Sequence, residues 1–417
     1  MSRLLLFTND YPYRTGDVVF VEKEIRALAE RFDDVVIFCH ARDTSAGMVD
    51  LPPRVHLGGN LFESAPEDSP RRILEPASML LLARAAWREL TSGRLLRHPR
   101  LFLMGAKVGL TQAHRRSVRE AIAHDPDTVA YGFWAMGGGL GVPWLRGVRS
   151  RVVRVHRYDL YEDQAIGGYL PFRPFLFARA DRILAISADA EDYLRRNHPE
   201  TTGKVALSRL GAFGPDEAPE RDPDGLTTIA SCSSVIEVKR VSLILDSLRV
   251  LASQDPSRKL RWVHFGDGVL MPELRIAVAN LPDGLSVELR GQVPNSEIAA
   301  FYASGEVDAF VNLSTSEGVP VSIMEAIASG IPVLATAVGG TPEIVGAELR
   351  TGELVDRAVD PATVAERLDG LLHAPAGTYT PRELWEQEYD ARRTGEIAAV
   401  LVRSANGGRR LSGPMTD

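Results

Sequence analysis

The sequence predicts an α/β protein made of two doubly wound, Rossmann-like domains, each built on a parallel sheet. Its 417 residues are too many for one compact core of ordinary size. Short aliphatic or β-branched runs alternate with longer helical patterns, which is typical of βαβ units with buried parallel strands. A segment rich in proline, glycine and acidic residues, 214–225, separates two such series and is therefore predicted to be a linker.

The predicted strands are continuous apolar runs. Before the linker they read RLLLFTN, DVVIFCH, TVAYGFW, RVVRVH and RILAIS. After the linker they read LTTIASCSS, RWVHFGDG, SVELRGQV, DAFVNLS and IPVLATAVGG. The segments between them have a helical period, with apolar residues on one stripe at Val21, Ile25, Leu28 and Phe32, and again at Ile298, Phe301 and Tyr302.

These patterns divide the chain into consecutive parts. The predicted parts are an N-terminal domain (1–213), the linker (214–225), a C-terminal domain (226–380), a last helix (381–404) and a tail (405–417). The tail is rich in glycine and polar residues and has no apolar period, so we expect it to be disordered.

Composition and charge restrict the possible functions. The formal net charge is −7, which argues against a nucleic-acid-binding protein. Cys39 and Cys232 both lie in apolar runs, so a reducing compartment fits better than a disulfide framework. The apolar run 4–7 is too short for a signal sequence, and no run approaches the roughly 20 apolar residues of a membrane span. We therefore expect a cytoplasmic protein, with peripheral contact at the inner face of the cell membrane left open.

Residues 71–119 form a helical and strongly basic region with interleaved apolar side chains. One interpretation is a pair of solvated helices that cover a sheet edge. The other is a docking face for an anionic acceptor or a membrane surface. The basic residues are Arg71, Arg72, Arg84, Arg88, Arg94, Arg97, Arg100, Lys107, Arg115, Arg116 and Arg119, and the apolar ones include Leu80, Leu81, Trp87, Leu95, Leu101, Phe102 and Leu103.

The segment SEGVPVSIMEAIASGIPVLATAVGG (316–340) predicts a ligand site. A strand ends before it, a polar turn carries Glu317, and a helix is expected to begin near Pro320 and to end at Gly330. Ligands of open parallel sheets bind outside the carboxyl ends of the strands, and helix starts favour anions and hydroxyl oxygens. Glu325 follows two helical turns after Glu317, so the two carboxylates could contact different hydroxyls of one polyol ligand. Without this context, both would be interpreted as solvated surface glutamates.

Two further positions are candidates. Lys239 and Arg240 follow a predicted strand and stand at an expected helix start, where each cation costs about 0.3–1 kcal/mol against the helix dipole. A bound diphosphate would offset that cost, whereas the alternative is solvated surface charge. His156 ends another predicted strand and would ordinarily titrate near neutrality, although a single histidine is more often structural.

Other catalytic patterns are missing from the sequence. It contains no Walker A sequence and no G-x-S-x-G turn, and the glycine run 134–141 lacks the G-x-G-x-x-G spacing. The D-x-D strings 125–127 and 222–224 both straddle a proline in expected turns, and no Cys/His group has zinc spacing. We therefore predict no metal site.

Taken together, these segments resemble the family 4 retaining glycosyltransferases. The segment 316–340, with its two glutamates separated by seven residues, resembles that family's signature. SSVIEVKR resembles its first C-domain strand and phosphate-binding lysine, and HFGDGVLMPEL and VELRGQVPNSEIAAFYA resemble the next two units. NDYPYRTGD, RVHRYDLYE and GGYLPFR resemble N-domain segments of exopolysaccharide-type members. The resemblance covers nearly the whole chain and is strongest over 231–345.

The resemblance implies a GT-B fold, in which two Rossmann-like domains face a cleft and the last helix returns to the first domain. It implies a metal-independent, anomer-retaining transfer from a nucleotide-diphosphate sugar, expected to carry UDP or GDP, with no cofactor. The acceptor would be a glycan, a lipid-linked compound or a small molecule in cell-surface polysaccharide or glycoconjugate synthesis.

The resemblance also implies roles for individual residues. Lys239 would hold the diphosphate, Glu317 the sugar hydroxyls and Glu325 the ribose hydroxyls. The remaining assignments are His156 at the reaction centre and Gly16, Gly318, Val319 and Pro320 next to the donor.

Three positions depart from the family pattern. Ser234 stands where an arginine commonly precedes the lysine by five positions, Thr15-Gly16 replaces a double glycine, and Leu210-Gly211 replaces asparagine-glycine. These departures keep open a non-catalytic sugar-nucleotide-binding scaffold. A sugar-nucleotide 2-epimerase on the same fold is a second alternative, although the sequence does not show the histidine-rich site that such enzymes normally use.

Overall fold

The structure is a computed structural model, which describes residues 2–63, 73–220 and 226–405. It divides into two compact units, one formed by Met1–Arg209 with the chain from Thr394 onward, the other by Leu210–Arg393. Arg71 and Arg72, the last part of the predicted linker (221–225) and the predicted tail after residue 405 lie outside the described residues.

The first unit contains a parallel sheet with the strand order β3-β2-β1-β4-β5-β6-β7. Its strands are β1 (Arg3–Phe7), β2 (Asp34–Cys39), β3 (Val55–Asn60), β4 (Val129–Gly132), β5 (Ser150–Val155), β6 (Arg182–Ala185) and β7 (Val205–Leu207). Its helices are α1 (Val18–Arg31), α2 (Pro76–Thr91), α3 (Arg94–Arg97), α4 (Pro99–His114), α5 (Arg116–Ala123), α6 (Arg157–Leu160), α7 (Arg173–Arg179) and α8 (Ala188–Asn197).

Both faces of this sheet are buried, which explains the continuous apolar runs in its sequence. Along β1, Leu5 and Phe7 pack in one apolar cluster with α2, α4 and α7. Leu4 and Leu6 point the other way and pack with α1. The predicted apolar stripe is confirmed, since Val21, Ile25 and Leu28 are buried on α1 and Phe32 is buried directly after its end.

The second unit contains a parallel sheet with the order β10-β9-β8-β11-β12-β13. Its strands are β8 (Leu226–Cys232), β9 (Lys259–Phe265), β10 (Leu285–Gly291), β11 (Ala309–Asn312), β12 (Val333–Thr336) and β13 (Gly352–Val355). Its helices are α9 (Val241–Gln254), α10 (Met271–Ala277), α11 (Asn295–Tyr302), α12 (Val321–Ala328), α13 (Pro361–Leu372) and α14 (Pro381–Leu384). The prediction of two doubly wound, Rossmann-like units, each built on a parallel sheet, is confirmed.

The end of the chain differs from the single helix expected over 381–404. α14 is followed by a wide π turn, Trp385–Tyr389, and a separate helix, α15 (Ala391–Arg403). The break arises because Ala212 donates its N–H to the Tyr389 carbonyl (2.9 Å) and accepts from the Ala391 N–H (3.1 Å). The end of α15 joins the first unit, where Ala399 and Val402 pack in the apolar cluster that covers α1.

The start of the predicted linker is fixed to the second unit. Arg382 donates to the carbonyl oxygens of Pro215 (2.9 Å) and Asp216 (3.0 Å). A Cβ on Gly214 would lie 2.8 Å from the Trp385 ring, so the chain passes this ring at close range. None of the helices in the described part of the chain combines the length and the apolar composition of a membrane span.

Candidate functional site

The sheet of the second unit reverses its strand order between β8 and β11, which are neighbours although they are distant in sequence. The loops after these two strands diverge to opposite sides, and such a switch point is where open parallel sheets bind ligands. Lys239 lies in the loop after β8 and Glu317 in the loop after β11. The topology therefore brings two of the predicted site residues to one crevice.

Lys239 and Glu317 form an ion pair in this crevice. The Lys239 ammonium lies 2.5 Å from Oε1 of Glu317, and the two side chains are 23% and 9% exposed. The Asn312 side-chain amide also donates to Oε1, at 3.4 Å. The two loops are joined by a backbone hydrogen bond from the Thr315 N–H to the Val238 carbonyl (2.8 Å). The ion pair is thus held between two loops that are tied together.

The glycine pair after β12 supports the Glu317 turn. Gly340 donates its N–H to the Gly318 carbonyl at 2.7 Å. Gly339 has a φ of +52°, and a Cβ there would lie 2.0 Å from the Glu317 carbonyl oxygen. Only glycine permits this approach, which explains why the predicted strand 331–340 ends in Gly-Gly. Val319 and Pro320 are buried beside the turn, so they fix its backbone.

Glu325 lies on α12 and is half-buried near the same crevice. Its Oε1 accepts a hydrogen bond of 3.2 Å from the Asn295 side chain, which lies at the start of α11. Burial raises the pKa of the Cys232 thiol to about 12; the Glu325 charge adds to this rise and Lys239 opposes it. Cys232, the last residue of β8, is therefore close to both charged groups. Cys232 and Asn295 were not predicted as site residues, although Cys232 ends β8 and Asn295 begins α11 on this side of the sheet.

The two basic residues expected at one helix start have different roles. α9 begins at Val241, and Arg240 precedes it in the left-handed region with a φ of +48°. The Arg240 guanidinium donates to the carbonyl oxygens of Leu313 (2.6 Å) and Arg357 (2.7 Å). Arg240 thus ties three loops together, and only Lys239 contacts Glu317. Both cations therefore precede α9, as the sequence predicts, but Arg240 bonds to backbone carbonyl oxygens and not to Glu317.

In the first unit, Asp17 organises the loop that follows β1. Its carboxylate accepts the backbone N–H groups of residues 9–11 at 2.5–2.9 Å and the Trp134 indole N–H at 2.7 Å. Gly16 has a φ of +54°, and a Cβ there would lie 1.9 Å from the Asp10 carboxylate. The positive φ favours glycine at position 16, and a side chain there would also displace the Asp10 carboxylate.

The glycine run after β4 permits a second close approach. A Cβ on Gly138 would lie 1.9 Å from the Thr8 carbonyl oxygen, and one on Gly139 would lie 1.8 Å from the Trp134 carbonyl oxygen. Gly138 also donates its N–H to the Asn9 side chain at 2.9 Å. These glycines let the loops after β1 and β4 pack together at the switch point of the first sheet.

His156 follows β5 and is only 4% exposed. Its ring packs against Trp134 with a centroid separation of 3.8 Å and an angle of 37° between the ring planes. Neither ring nitrogen has a hydrogen-bond partner among the described residues. Burial, with a contribution from Arg154, lowers the pKa of His156 well below its usual value. The buried environment of this ring therefore favours the neutral imidazole, unlike that of a solvent-exposed histidine.

Asp159 positions the backbone around His156. Its two carboxylate oxygens accept the N–H groups of His156 (2.6 Å) and Ala135 (2.7 Å). Arg173, fully buried, donates to the Ala135 carbonyl at 2.8 Å. Burial raises the pKa of Asp159 to about 6, although Arg173 opposes the rise. Neither Asp159 nor Arg173 was predicted as a site residue, although they lie in the segments RVHRYDLYE and GGYLPFR.

One of the two D-x-D strings is described. Asp127 donates its N–H to the Asp125 carboxylate at 2.8 Å, and its own carboxylate lies 3.4 Å from Arg149. Asp125–Asp127 is therefore a turn, while 222–224 lies outside the described residues. Across residues 2–63, 73–220 and 226–405, no group of three or more His, Cys, Asp or Glu side chains could hold a metal ion.

Residues 226–374, most of the second unit, match the family model described as glycosyl transferases group 1. This part of the chain is similar to that family. A relative from Escherichia coli, named "Putative colanic acid biosynthesis glycosyltransferase WcaL", is 29% identical over 271 residues, which are 62% of this chain and 65% of the relative. A "GDP-mannose-dependent alpha-mannosyltransferase" from Mycolicibacterium smegmatis is 33% identical over 193 residues, 43% of this chain and 46% of the relative. The chain thus spans about two thirds of the first of these relatives and about half of the second.

Solved glycosyltransferase structures share the fold. The sucrose-phosphate synthase of Thermosynechococcus elongatus matches with a TM-score of 0.66 at 17% identity. The match covers 97% of this chain and 98% of the synthase chain. At this identity the likeness supports the fold alone. The matched segment 226–374 contains Lys239, Glu317 and Glu325, whereas Gly16 and His156 lie in the first unit.

Proposed function

We propose that the protein is a metal-independent, anomer-retaining glycosyltransferase that uses a nucleotide-diphosphate sugar carrying UDP or GDP and needs no cofactor. In this proposal Lys239 binds the diphosphate, Glu317 the sugar hydroxyls and Glu325 the ribose hydroxyls. The backbone of Gly318, Val319 and Pro320 lies next to the sugar, His156 lines the reaction centre, and Gly16 belongs to the donor loop.

The observation that carries the proposal is the Lys239–Glu317 ion pair at the switch point, with Nζ and Oε1 2.5 Å apart. Diphosphate oxygens would replace the Glu317 carboxylate as the partner of Lys239. Glu317 would then be released to accept hydrogen bonds from sugar hydroxyls. Separation of Lys239 from Glu317 would thus free one group for the diphosphate and the other for the sugar.

The site chemistry also suits departure of a nucleoside diphosphate. When the bond between the anomeric carbon and the phosphate oxygen breaks, negative charge grows on the diphosphate. The Lys239 ammonium and the first N–H groups of α12 would stabilise that charge, because preorganised donors need no rearrangement. The neutral, buried imidazole of His156 adds no competing charge to the reaction centre.

The acceptor is proposed as a glycan or a lipid-linked compound in cell-surface polysaccharide or glycoconjugate synthesis. The name of the Escherichia coli relative, a colanic acid biosynthesis glycosyltransferase, supports this acceptor class. We place the protein in the cytoplasm, with peripheral contact at the inner face of the membrane, where lipid-linked acceptors are accessible.

Three variants test the donor site by calorimetry with UDP and GDP and by transfer kinetics. Lys239→Ala is expected to weaken binding of the preferred nucleotide about 10- to 100-fold, because a charged hydrogen bond is lost. Glu317→Gln is expected to tighten that binding by about fivefold, since a competing ion pair of about 1 kcal/mol disappears, and yet to abolish most transfer. His156→Ala should lower turnover and leave nucleotide affinity unchanged.

Lys259→Ala, an exposed lysine on β9, is the matched control and should behave as the wild type. Weaker nucleotide binding by Glu317→Gln would show that Glu317 holds the nucleotide and does not compete with it. Nucleotide binding without any turnover by the wild type, across a panel of donors and acceptors, would favour the non-catalytic scaffold.

A further inference from the structure

The helices α2 and α4 bury one side each in the same apolar cluster. Leu81 and Ala85 of α2 and Phe102 and Ala106 of α4 are all members of that cluster. The opposite sides of both helices therefore face outward.

The outward stripe of α2 is apolar and basic. Leu80, Arg84, Trp87 and Arg88 follow one another at helical spacing and are all exposed. Leu80 is 52% exposed and Trp87 is 66% exposed. A solvated helix ordinarily places its large apolar residues on the buried side, so this stripe departs from that pattern.

α3 and α4 continue the same pattern. Arg100, Leu103, Met104 and Lys107 form the outward stripe of α4, and Leu96 is exposed on α3. Leu96, Leu103 and Met104 are 76%, 62% and 64% exposed. We call the outward stripes of α2, α3 and α4 the basic-apolar face.

The charge of this face has one sign. Glu89 is the single acidic residue within 76–107, and it is fully buried, where it accepts a hydrogen bond from Tyr169 at 2.9 Å. Arg94 also turns away from solvent, half-buried beside Glu162 at 2.8 Å. The exposed charges that remain, at Arg84, Arg88, Arg97, Arg100 and Lys107, are all positive.

We infer that the basic-apolar face docks on the surface of an anionic lipid bilayer, with Trp87 at the level of the headgroups. Large apolar side chains gain by entering the boundary of the hydrocarbon, and arginines gain beside lipid phosphates. An anionic glycan would engage the arginines but would leave Leu96 and Leu103 without a partner, so the lipid surface fits the whole face. Docking on a membrane would bring the proposed enzyme to a lipid-linked acceptor. The inference rests on the proposed function only for the identity of that acceptor.

Trp87 supplies a direct probe of docking in the full-length protein. Of the five tryptophans, all within the described residues, the other four are at most 6% exposed. Vesicles of phosphatidylcholine with phosphatidylglycerol should shift the Trp87 emission to the blue and sediment the protein. Vesicles of phosphatidylcholine alone should do neither, and Trp87→Phe should remove the spectral shift while sedimentation persists.

Reversing charges on the basic-apolar face provides a second test of docking. Arg97→Glu with Arg100→Glu is expected to weaken vesicle partitioning at least about 30-fold, since each basic residue at an anionic surface contributes about fivefold. Arg26→Glu with Arg31→Glu, two exposed arginines on α1 of the same unit, is the matched control and should bind as the wild type. High salt should reduce the difference, because exposed charges are screened.

Three results would overturn the inference. The first is equal binding to vesicles with and without phosphatidylglycerol. The second is an equal loss of vesicle binding in the two double variants. The third is that the protein binds a soluble polyanion such as heparin but does not bind vesicles. Transfer to a water-soluble acceptor is measured in parallel. A docking failure with intact transfer rejects the membrane face alone, whereas docking without any transfer rejects the proposed function alone.

Discussion

The two sheets of this molecule share one topology around their switch points and use it differently. The order β3-β2-β1-β4 in the first unit matches β10-β9-β8-β11 in the second. In the first unit the loops at this point close on themselves through glycines and buried polar groups such as Asp17 and Asp159. In the second unit they present the accessible ammonium of Lys239. Topology thus determines where a crevice forms, and the loop residues determine whether it can accept an anion.

Two ion pairs make the contrast quantitative. In the first unit, Arg154 on β5 lies 2.8 Å from Glu24 on α1, and the side chains are 1% and 5% exposed. Arg154 also donates to the Ser208 hydroxyl at 2.8 Å. The pair Lys239–Glu317 is comparably short, but its lysine is 23% exposed. A pair sealed from water is part of the fold, whereas a pair open to water can exchange its partner for a ligand.

The largest expected effect comes from breaking the sealed pair. Arg154→Met should destabilise the protein by about 3–5 kcal/mol, because it leaves the Glu24 carboxylate buried without its counter-charge. Denaturation in guanidinium chloride measures the loss. Arg154→Met combined with Glu24→Leu should recover much of it, since the uncompensated charge is then removed. If the double variant is as unstable as Arg154→Met, packing and not charge explains the site.

A smaller effect is expected at the open crevice. Glu325→Ala should weaken binding of the nucleotide about 10- to 100-fold, or about 1.5–3 kcal/mol, if the carboxylate holds ribose hydroxyls. Its stability should change little, because Glu325 is only half-buried. Calorimetry with the free nucleoside diphosphate measures the affinity. Asn295→Ala removes the amide that donates to Glu325 and serves as the control for indirect effects. Unaltered affinity in a folded Glu325→Ala variant contradicts the assignment.

The second unit was easier to predict from the sequence than the first. Glu317 and Glu325 stand in one contiguous segment whose strand, turn and helix follow each other, and α12 begins one residue after the expected Pro320. Most core strands were also predicted, because a strand buried on both faces needs a continuous apolar run. The strands β3, β7 and β13 were missed. All three lie at sheet edges, where fewer side chains are buried.

The buried network of the first unit could not be found by pattern. Asp17, Trp134, His156 and Arg173 come from segments far apart in the sequence and meet only through the sheet topology. The lowered pKa of His156 could not be predicted from the sequence either, because it follows from burial and from the charge of Arg154. A polar residue that is fully buried has the same letter in the sequence as one in solvent, and only packing distinguishes them.

The smallest expected effect is a dependence on pH that belongs to the first unit. Asp159 has its pKa raised to about 6 by burial, against an ordinary value of 3.8. Between pH 6 and pH 5 the folded protein therefore takes up a proton at Asp159, while the unfolded chain remains ionised there. By linkage, folding becomes more favourable as the pH falls through this window, by roughly 1 kcal/mol for this one group.

Asp159→Asn cannot titrate, so the difference in unfolding free energy between wild type and variant isolates this contribution. Denaturation is measured at pH 7, 6 and 5. The free energy of unfolding of the wild type, relative to that of the variant, should rise between pH 6 and pH 5 and change little between pH 7 and pH 6. Other groups that titrate in the window are shared by both proteins and cancel in the difference. A wild type that loses stability relative to the variant on acidification would mean that the backbone N–H groups and Arg173 outweigh burial at Asp159. In that case burial would not perturb Asp159, and the contrast between the two units would rest on the exposure of their charged groups alone.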